Sequence, residues 1–499
     1  MTMQAQTLIG TKPSSAPPST GFAISEWHDT DEVMARMANL LSQPIRPIRR
    51  ENMDRVLRYF DENCQTSKRI AEEAAKFIPG GIQHNLAFNY PHPLVITEAN
   101  GAHMTDADGN RYIDFLQAGG PTLLGSNYEP VRRKVQELIE TCGPTTGLMH
   151  EYEMKLAERI CTHMPAVEMF RMLGSGTEGV MAAIRVARAH TGKQWIIKMG
   201  GGYHGWSDQM VYGLRVPGTG RRDAVGIPRA AVARVQESFP HDLEALRRKL
   251  QLNRIRGGTA AVIVEPLGPE SGTRPVYKTF NQELRQLCDE FDTLLIFDEV
   301  VTGFRLGLSG AQGYFGVNPD LTVLGKAVTG GYPMAGGLGG KREIMMNLAG
   351  GIGGSKRGAM VGGTLSANPL SCAAGYFAIR EMERTNAAEV AGRAGDRLCK
   401  GLVEMIDRLG LPYVAYNQGS IVHLETSGVM LLNANTPLQM IRTLKQAKPR
   451  KHMMEEFGAA YTAYGIISLA GSRLYTSLAD TEEIIDDALN RFEDVMKLV

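Results

Sequence analysis

Lys326 stands between the apolar run Leu321-Thr-Val-Leu324 and a glycine-rich turn ending at Gly331. An amine held there is screened from water, and desolvation lowers its pKa and makes it a nucleophile toward carbonyl carbon. Asp298 directly follows Leu294-Leu-Ile-Phe297, so its carboxylate points into the crevice beyond that run. An unpaired charge in such a place is costly and calls for a cationic partner. Gly174-Ser-Gly-Thr-Glu-Gly179 follows Met169-Phe-Arg-Met-Leu173 and opens an apolar-periodic helix. Small residues let the N–H groups of a helix start approach an anion, and the dipole favours negative charge there. The stretch Gly174 to Gly179 is thus a candidate phosphate cradle. Trp195-Ile-Ile-Lys198 leads into Gly200-Gly-Gly-Tyr-His-Gly205, where Tyr203 and His204 offer an aromatic face with a polar edge. Ala261-Val-Ile-Val264 ends in Glu265-Pro266, with Glu270 shortly after.

An amine, a carboxylate, an aromatic face and a phosphate cradle are what pyridoxal 5′-phosphate requires of a protein. The aspartate would keep the pyridine nitrogen protonated, and the lysine would hold the carbonyl as a Schiff base and shuttle the α-proton. The spacing Gly174-x-Gly176-x-x-Gly179 also fits a dinucleotide site. That site needs an acidic residue about 20 positions on, at the end of the next strand. Here that strand ends in Lys198-Met-Gly200, which speaks against a nicotinamide dehydrogenase.

The elements that must position these groups are the five apolar runs themselves, which alternate with helical stretches between about 129 and 376. Such alternation predicts an α/β fold, a mostly parallel sheet with helices on both faces, and ligands beyond the carboxyl ends of the strands. Residues 1–22 read as a disordered arm rich in Pro, Ser and Thr, and 23–128 as N-terminal helices followed by small-domain strands. The turn Asp106-Ala-Asp-Gly-Asn110 punctuates those strands. The large domain spans 129–376, and 377–499 form the C-terminal part of a smaller α+β domain.

Composition narrows the class further. Lys+Arg 54 against Asp+Glu 53 gives a net charge of +1, which argues against nucleic acid or a polybasic membrane contact. The six cysteines are scattered, with no C-x-x-C pair and no histidine at zinc spacing, so no metal site is expected. Absence of a membrane-length apolar run and of a secretory-type start predicts a cytoplasmic protein. Gly 56 of 499 residues is above the usual share of about 7%. Much of that excess falls at 174–179, 200–205, 325–331 and 362–363, around one proposed cofactor; the clusters at 336–340 and 350–354 have no such assignment.

The ordered motifs resemble the class III aminotransferases, fold-type I enzymes, and among them the glutamate-1-semialdehyde 2,1-aminomutases. The matching stretches are Asp106–Phe115, Gly174–Glu178, Gly202–Gly205, Val264–Pro266, Phe297–Arg305, Gly325-Lys326, Gly340–Ile344 and Gly363–Pro369, in family order over roughly four fifths of the chain. The resemblance implies that Lys326 carries the Schiff base and Asp298 pairs with the pyridine nitrogen. It places Tyr203 on one ring face and Val300 on the other, with Ser175, Gly176 and Thr177 on the phosphate. It also implies a homodimer in which Thr364 reaches the neighbouring subunit's phosphate. Lys341 is the rival lysine, in what the family has as a solvent-facing turn.

Three departures concern the substrate. The segment after Ile78-Pro-Gly-Gly81 usually supplies an arginine, and here His84 occupies about that place. Glu270 stands where the aminomutases carry asparagine, as in some ω-aminotransferases. Arg473 is a candidate for binding a substrate carboxylate through two parallel hydrogen bonds. The expected activity is amino transfer between an amine or amino acid and an oxo acid or aldehyde. The alternatives are an intramolecular aminomutase and, further off, a decarboxylase or racemase.

Overall fold

The five apolar runs become strands of one sheet in the computed structural model, which describes residues 20–85, 89–215, 217–218, 222–349, 358–433 and 437–499. Three helices come first: α1 (Thr30–Ser42), α2 (Arg50–Asn63) and α3 (Gln65–Ala74). A meander of β1 (Ile96–Asn100), β2 (His103–Asp106) and β3 (Arg111–Asp114) follows. The Asp106 turn closes β2 onto β3, and Asp108 caps α3 by accepting from Thr66 N and Ser67 N at 2.6 and 3.0 Å.

The large unit then runs α4 (Glu129–Thr141), α5 (Glu151–His163), β4 (Met169–Leu173), α6 (Gly176–Thr191), β5 (Trp195–Met199), β6 (Val235–Ser238) and α7 (Leu243–Arg254). It continues with β7 (Thr259–Val264), α8 (Phe280–Glu290), β8 (Leu294–Glu299), α9 (Gly310–Phe315), β9 (Leu321–Gly325), β10 (Gly336–Gly340) and α10 (Arg342–Met345). Its seven strands lie in the order β4-β10-β9-β8-β7-β5-β6. All are parallel except β10, which runs antiparallel to both β4 and β9. β7 is buried along its whole length, as a parallel strand covered on both faces must be, and this is why it reads as an unbroken apolar run.

The glycine cluster at 336–340, unassigned in the sequence, is β10. A Cβ on Gly336 would lie 2.2 Å from the Ser175 backbone, and one on Gly337 would lie 2.2 Å from the Phe170 ring. Glycine there is the condition for α6 to close onto the sheet. The cluster at 350–354 lies outside the described residues.

α11 (Pro369–Thr385) packs against α4 and α5, so the boundary expected at 376 falls inside a helix of the large unit. α12 (Ala387–Arg408) bridges the two cores: Ala387, Ala388 and Ala391 belong to the large one, Leu398 to Ile406 to the small one. The small unit is completed by β11 (Val414–Gln418), β12 (Ile421–Glu425), α13 (Pro437–Ala463), β13 (Ile466–Ile467), β14 (Arg473–Tyr475) and α14 (Glu482–Met496). β13 joins the N-terminal meander beside β3, which ties both chain ends into one domain as expected. Of the arm expected at 1–22, residues 1–19 lie outside the described residues. Phe22 is not part of a free arm: it bridges to Gly307 and sets its ring edge-on to Tyr314 at 5.6 Å.

Candidate active site

The carboxyl ends of β4, β8 and β9 bring the expected cofactor residues together. Ser175 caps α6, and its Oγ accepts from Glu178 N at 3.2 Å. The first N–H groups of a helix have no partner within it, so those of Gly176 and Thr177 remain available to an anion. A Cβ on Gly205 would lie 2.4 Å from Thr177 Oγ1, so the 203–205 turn closes directly over this helix start. A Cβ on Gly176 would meet Val300 at 2.7 Å, and one on Gly325 would meet it at 2.9 Å. Val300 therefore sits between the helix start and the residue preceding Lys326. Asp298 is in register with Val323 on β9. Lys326 lies three residues beyond that partner, about 10 Å along an extended chain.

Asp298 is the last residue but one of β8, not a helix cap, and it is 5% exposed. Its Oδ1 accepts from Val300 N at 3.1 Å, and its Oδ2 lies 2.7 Å from His204 Nδ1, which donates to it. The cationic or donor partner that its burial demanded is thus His204. That role differs from the expected one: the imidazole is fully buried behind the carboxylate instead of extending the aromatic face. Tyr203 alone presents a ring, half exposed, and burial raises its phenol pKa, reinforced by Glu270 and Asp298.

Two buried groups that sequence reasoning left without a role hold the Tyr203 turn. Glu265 accepts from Tyr203 N at 2.8 Å and Glu270 N at 2.7 Å, and burial pushes its carboxyl pKa up. Lys198, fully buried, donates to the carbonyls of Gly202, Met210 and Tyr212 at 2.8, 3.0 and 3.0 Å. Burial lowers its pKa to about 8. The only hint in the sequence was a lysine inside an apolar strand.

Lys326 has φ of +47° and starts a short 3-10 turn at the end of β9. Lys341 follows β10 at the opposite end of the strands and pairs with Asp320 at 2.5 Å. The antiparallel register, Gly340 opposite Leu321 and Gly336 opposite Gly325, separates the two lysines by the length of the strand.

Arg473 and Glu270, 203 residues apart, meet. Arg473 Nη2 lies 3.5 Å from Glu270 Oε1 and donates to Glu270 O at 2.9 Å and Thr273 Oγ1 at 2.8 Å. Burial lowers its pKa, but Tyr475 and Glu270 outweigh that and hold the guanidinium firmly charged. Tyr475 is buried against it, with the Arg305 guanidinium 4.9 Å from its ring centre. Burial raises the Tyr475 pKa, yet the cations Arg473, Lys326 and Arg305 bring it below the usual value. Neither Tyr475 nor Arg305 was singled out as a site residue in the sequence. His84 is exposed and borders a cavity against α13 whose lining includes neither Lys326 nor Arg473. Thr364 is exposed; its neighbour Gly363 lies alongside Glu178. Among the described residues no group of three or more His, Cys, Asp or Glu could hold a metal ion.

This geometry coincides with what comparison finds. Residues 86–495 match the family model for aminotransferase class-III. A glutamate-1-semialdehyde 2,1-aminomutase 2 from Brevibacillus brevis is 35% identical over 447 residues, covering 87% of this chain and 99% of that one. An omega-transaminase from Sphaerobacter thermophilus superposes with a TM-score of 0.78 at 27% identity, covering 88% of this chain and 98% of that one. A glutamate-1-semialdehyde-aminomutase from Pseudomonas aeruginosa shares the fold, with a TM-score of 0.78 at 23% identity over 93% and 99% of the two chains. The chain belongs to the class-III aminotransferase family of pyridoxal-phosphate-dependent enzymes.

Proposed function

We propose that this enzyme moves an amino group from an amine or amino acid to an oxo acid or aldehyde. The observation that supports the reading is the placement of Val300 against both Gly176 and Gly325, which brings the start of α6, the end of β8 and the end of β9 together. Bound pyridoxal phosphate would supply an electron sink for the pair left when a substrate Cα–H bond breaks. Asp298, fixed by His204 and the Val300 N–H, would hold the proton on the pyridine nitrogen. Lys326 would hold the cofactor's carbonyl carbon and, once displaced by the substrate amine, carry the α-proton. Tyr203 and Val300 would cover the two ring faces, and Ser175, Gly176 and Thr177 would take the phosphate. Arg473 would bind a substrate carboxylate, with Glu270 as its counter-ion when none is present.

A homodimer fits the exposed apolar surface beside the cradle, where Trp206 is 77% and Met360 85% exposed. The partner subunit's Thr364 would then complete the phosphate site. Six free cysteines and no helix long and apolar enough to cross a membrane among the described residues agree with the expected cytoplasmic location.

The identity to proteins named aminomutases favours one second reading, amino transfer within a single skeleton. A donor labelled with ¹⁵N, offered with an unlabelled oxo acid, separates the two. Transfer of label to the acceptor, with the cofactor spectrum passing to its amine form, is the expected result. Label that never leaves its own carbon skeleton would make the enzyme an aminomutase.

A further inference from the structure

Arg473 is already engaged at the nitrogen that a carboxylate would need. Its Nη2 carries two hydrogens and meets two acceptors on the loop between β7 and α8: Glu270 O at 2.9 Å and Thr273 Oγ1 at 2.8 Å. The Glu270 carboxylate, 3.5 Å from the same nitrogen, adds attraction. Nη1 reaches only Tyr475 OH at 3.5 Å, and Nε bonds nothing among the described residues. A guanidinium presents two parallel N–H groups along two edges, Nη1 with Nη2 and Nε with Nη2. Nη2 belongs to both, so a two-bond grip on a carboxylate competes with the loop.

The loop is anchored independently of Arg473. Glu270 and Ser271 both have φ of +49°, a left-handed conformation that non-glycine residues keep only where their surroundings enforce it. Buried Glu265 enforces it from one side, accepting from Glu270 N at 2.7 Å and Ser271 Oγ at 2.8 Å. From the small unit, Tyr416 OH on β11 donates toward Gly272 O at 2.8 Å and Thr273 O at 3.0 Å. Arg274 Nη2 donates to Met430 O and Leu432 O at 2.8 and 2.7 Å. A change of partner at Arg473 is therefore a movement of the arginine, not of the loop. Of its two acceptors only the buried Thr273 hydroxyl is a side chain, so residue 273 can set the strength of the hold.

We propose that Thr273 is a positioning residue that sets the preference between amino substrates with and without a carboxylate, because its hydroxyl latches Arg473 Nη2 to the loop. The proposal rests on the reading of Arg473 as the residue that binds a substrate carboxylate. A substrate with a carboxylate must break the Thr273 bond before two parallel bonds can form. A carboxylate-free amine leaves the latch closed, with Glu270 beside the guanidinium charge. A side chain at 273 without an acceptor leaves one N–H of a buried cation unpaired, and that increases the gain from an incoming carboxylate.

On the full-length holoenzyme, straight-chain ω-amino acids from glycine to 5-aminopentanoate are each compared with the amine that carries a methyl group in place of the carboxylate. Conversion of the cofactor to its amine form is the readout. T273V keeps the shape of the side chain and removes the acceptor. Its acid-to-amine ratio of kcat/KM should rise about tenfold at the chain length that reaches Arg473, the factor of one hydrogen bond to a charged group. The rise should lie in KM for the acid. T273S keeps the hydroxyl and should hold the wild-type ratio, and T273A takes the place of T273V if that variant folds poorly. A ratio unchanged or lowered in the variants without a hydroxyl, or T273S behaving as they do, overturns the latch. R473M tests the reading beneath it. A ratio in R473M equal to that of wild type would mean that Arg473 binds no carboxylate, and both would fall; a ratio lost in R473M but untouched by T273V would remove the latch alone. If no donor converts the cofactor, the aminotransferase reading fails, and calorimetric titration with unreactive carboxylates from acetate to pentanoate decides the latch. Tighter binding in T273V than in wild type upholds it, and equal or weaker binding overturns it.

Discussion

The two candidate lysines differ only in what surrounds them. Lys326 follows β9 at the strand end where α6 begins, while Lys341 follows β10 at the far end and is committed to Asp320. Borohydride treatment of the holoenzyme should fix the cofactor on wild type and on K341A, and leave K326A without a lysine adduct. An adduct surviving in K326A would move the chemistry to another lysine. This distinction was legible in the sequence because a strand end before a glycine-rich turn has one spatial meaning in a parallel sheet. The partner of Asp298 was not. The sequence demanded a donor for a buried carboxylate but could not say that His204, 94 residues earlier, would supply it. Glu270 and Arg473 were each marked in the sequence only as departures from the family's substrate-binding pattern. Their pairing across 203 residues depends on β14 lying beside the loop that follows β7, and no local pattern encodes that.

At the scale of elements, what the sequence concealed was a strand made almost wholly of glycine. β4, β5, β7, β8 and β9 announce themselves as apolar runs because both faces of a parallel sheet are covered. β10, Gly336-Gly-Leu-Gly-Gly340, has no side-chain pattern to read. Its information lies in absent atoms, since α6 starts where a Cβ on Gly336 would stand. The contact is with the Ser175 backbone, not with a flexible side chain, so G336A can be relieved only by shifting the helix start. That shift would move the proposed phosphate cradle while leaving Lys326 and Asp298 in place. Fluorescence titration of the apoprotein with pyridoxal phosphate should show affinity falling at least tenfold in G336A. Pyridoxal without its phosphate should lose much less, because it makes no use of the cradle. An equal loss for both would mean that the substitution acts through general unfolding.

Across the whole molecule, the large and small units meet at a seam built of buried charge. Arg305, fully buried, donates to Gly120 O, Gln117 Oε1, Ser420 Oγ and Thr476 O, binding segments far apart in sequence. Beside it lie two buried carboxyls. Asp480 accepts from Ser477 N at 2.6 Å and Gln117 Nε2 at 3.3 Å, and Asp114 accepts from Gln117 N at 2.7 Å. Burial pushes Asp480 to about 7 and Asp114 to about 6, against an ordinary value of 3.8. In that interval the folded state keeps protons that the unfolded chain has released, so stability falls as pH rises from about 4 to about 7. His28 acts in the opposite sense. Burial lowers it from 6.5 to about 4, so it weakens the fold as pH drops through that range. Thermal unfolding at pH 6.5 and 8.5 lies above the His28 window. Between these values Lys198, lowered to about 8, adds stability as pH rises, so the comparison of wild type with D480N, and not wild type alone, reads the Asp480 contribution. D480N keeps the carbonyl acceptor for Ser477 but cannot ionise, so it should raise Tm more at pH 8.5 than at pH 6.5. Equal changes at both pH values would show that Asp480 is already charged in the native protein, with Arg305 meeting the cost.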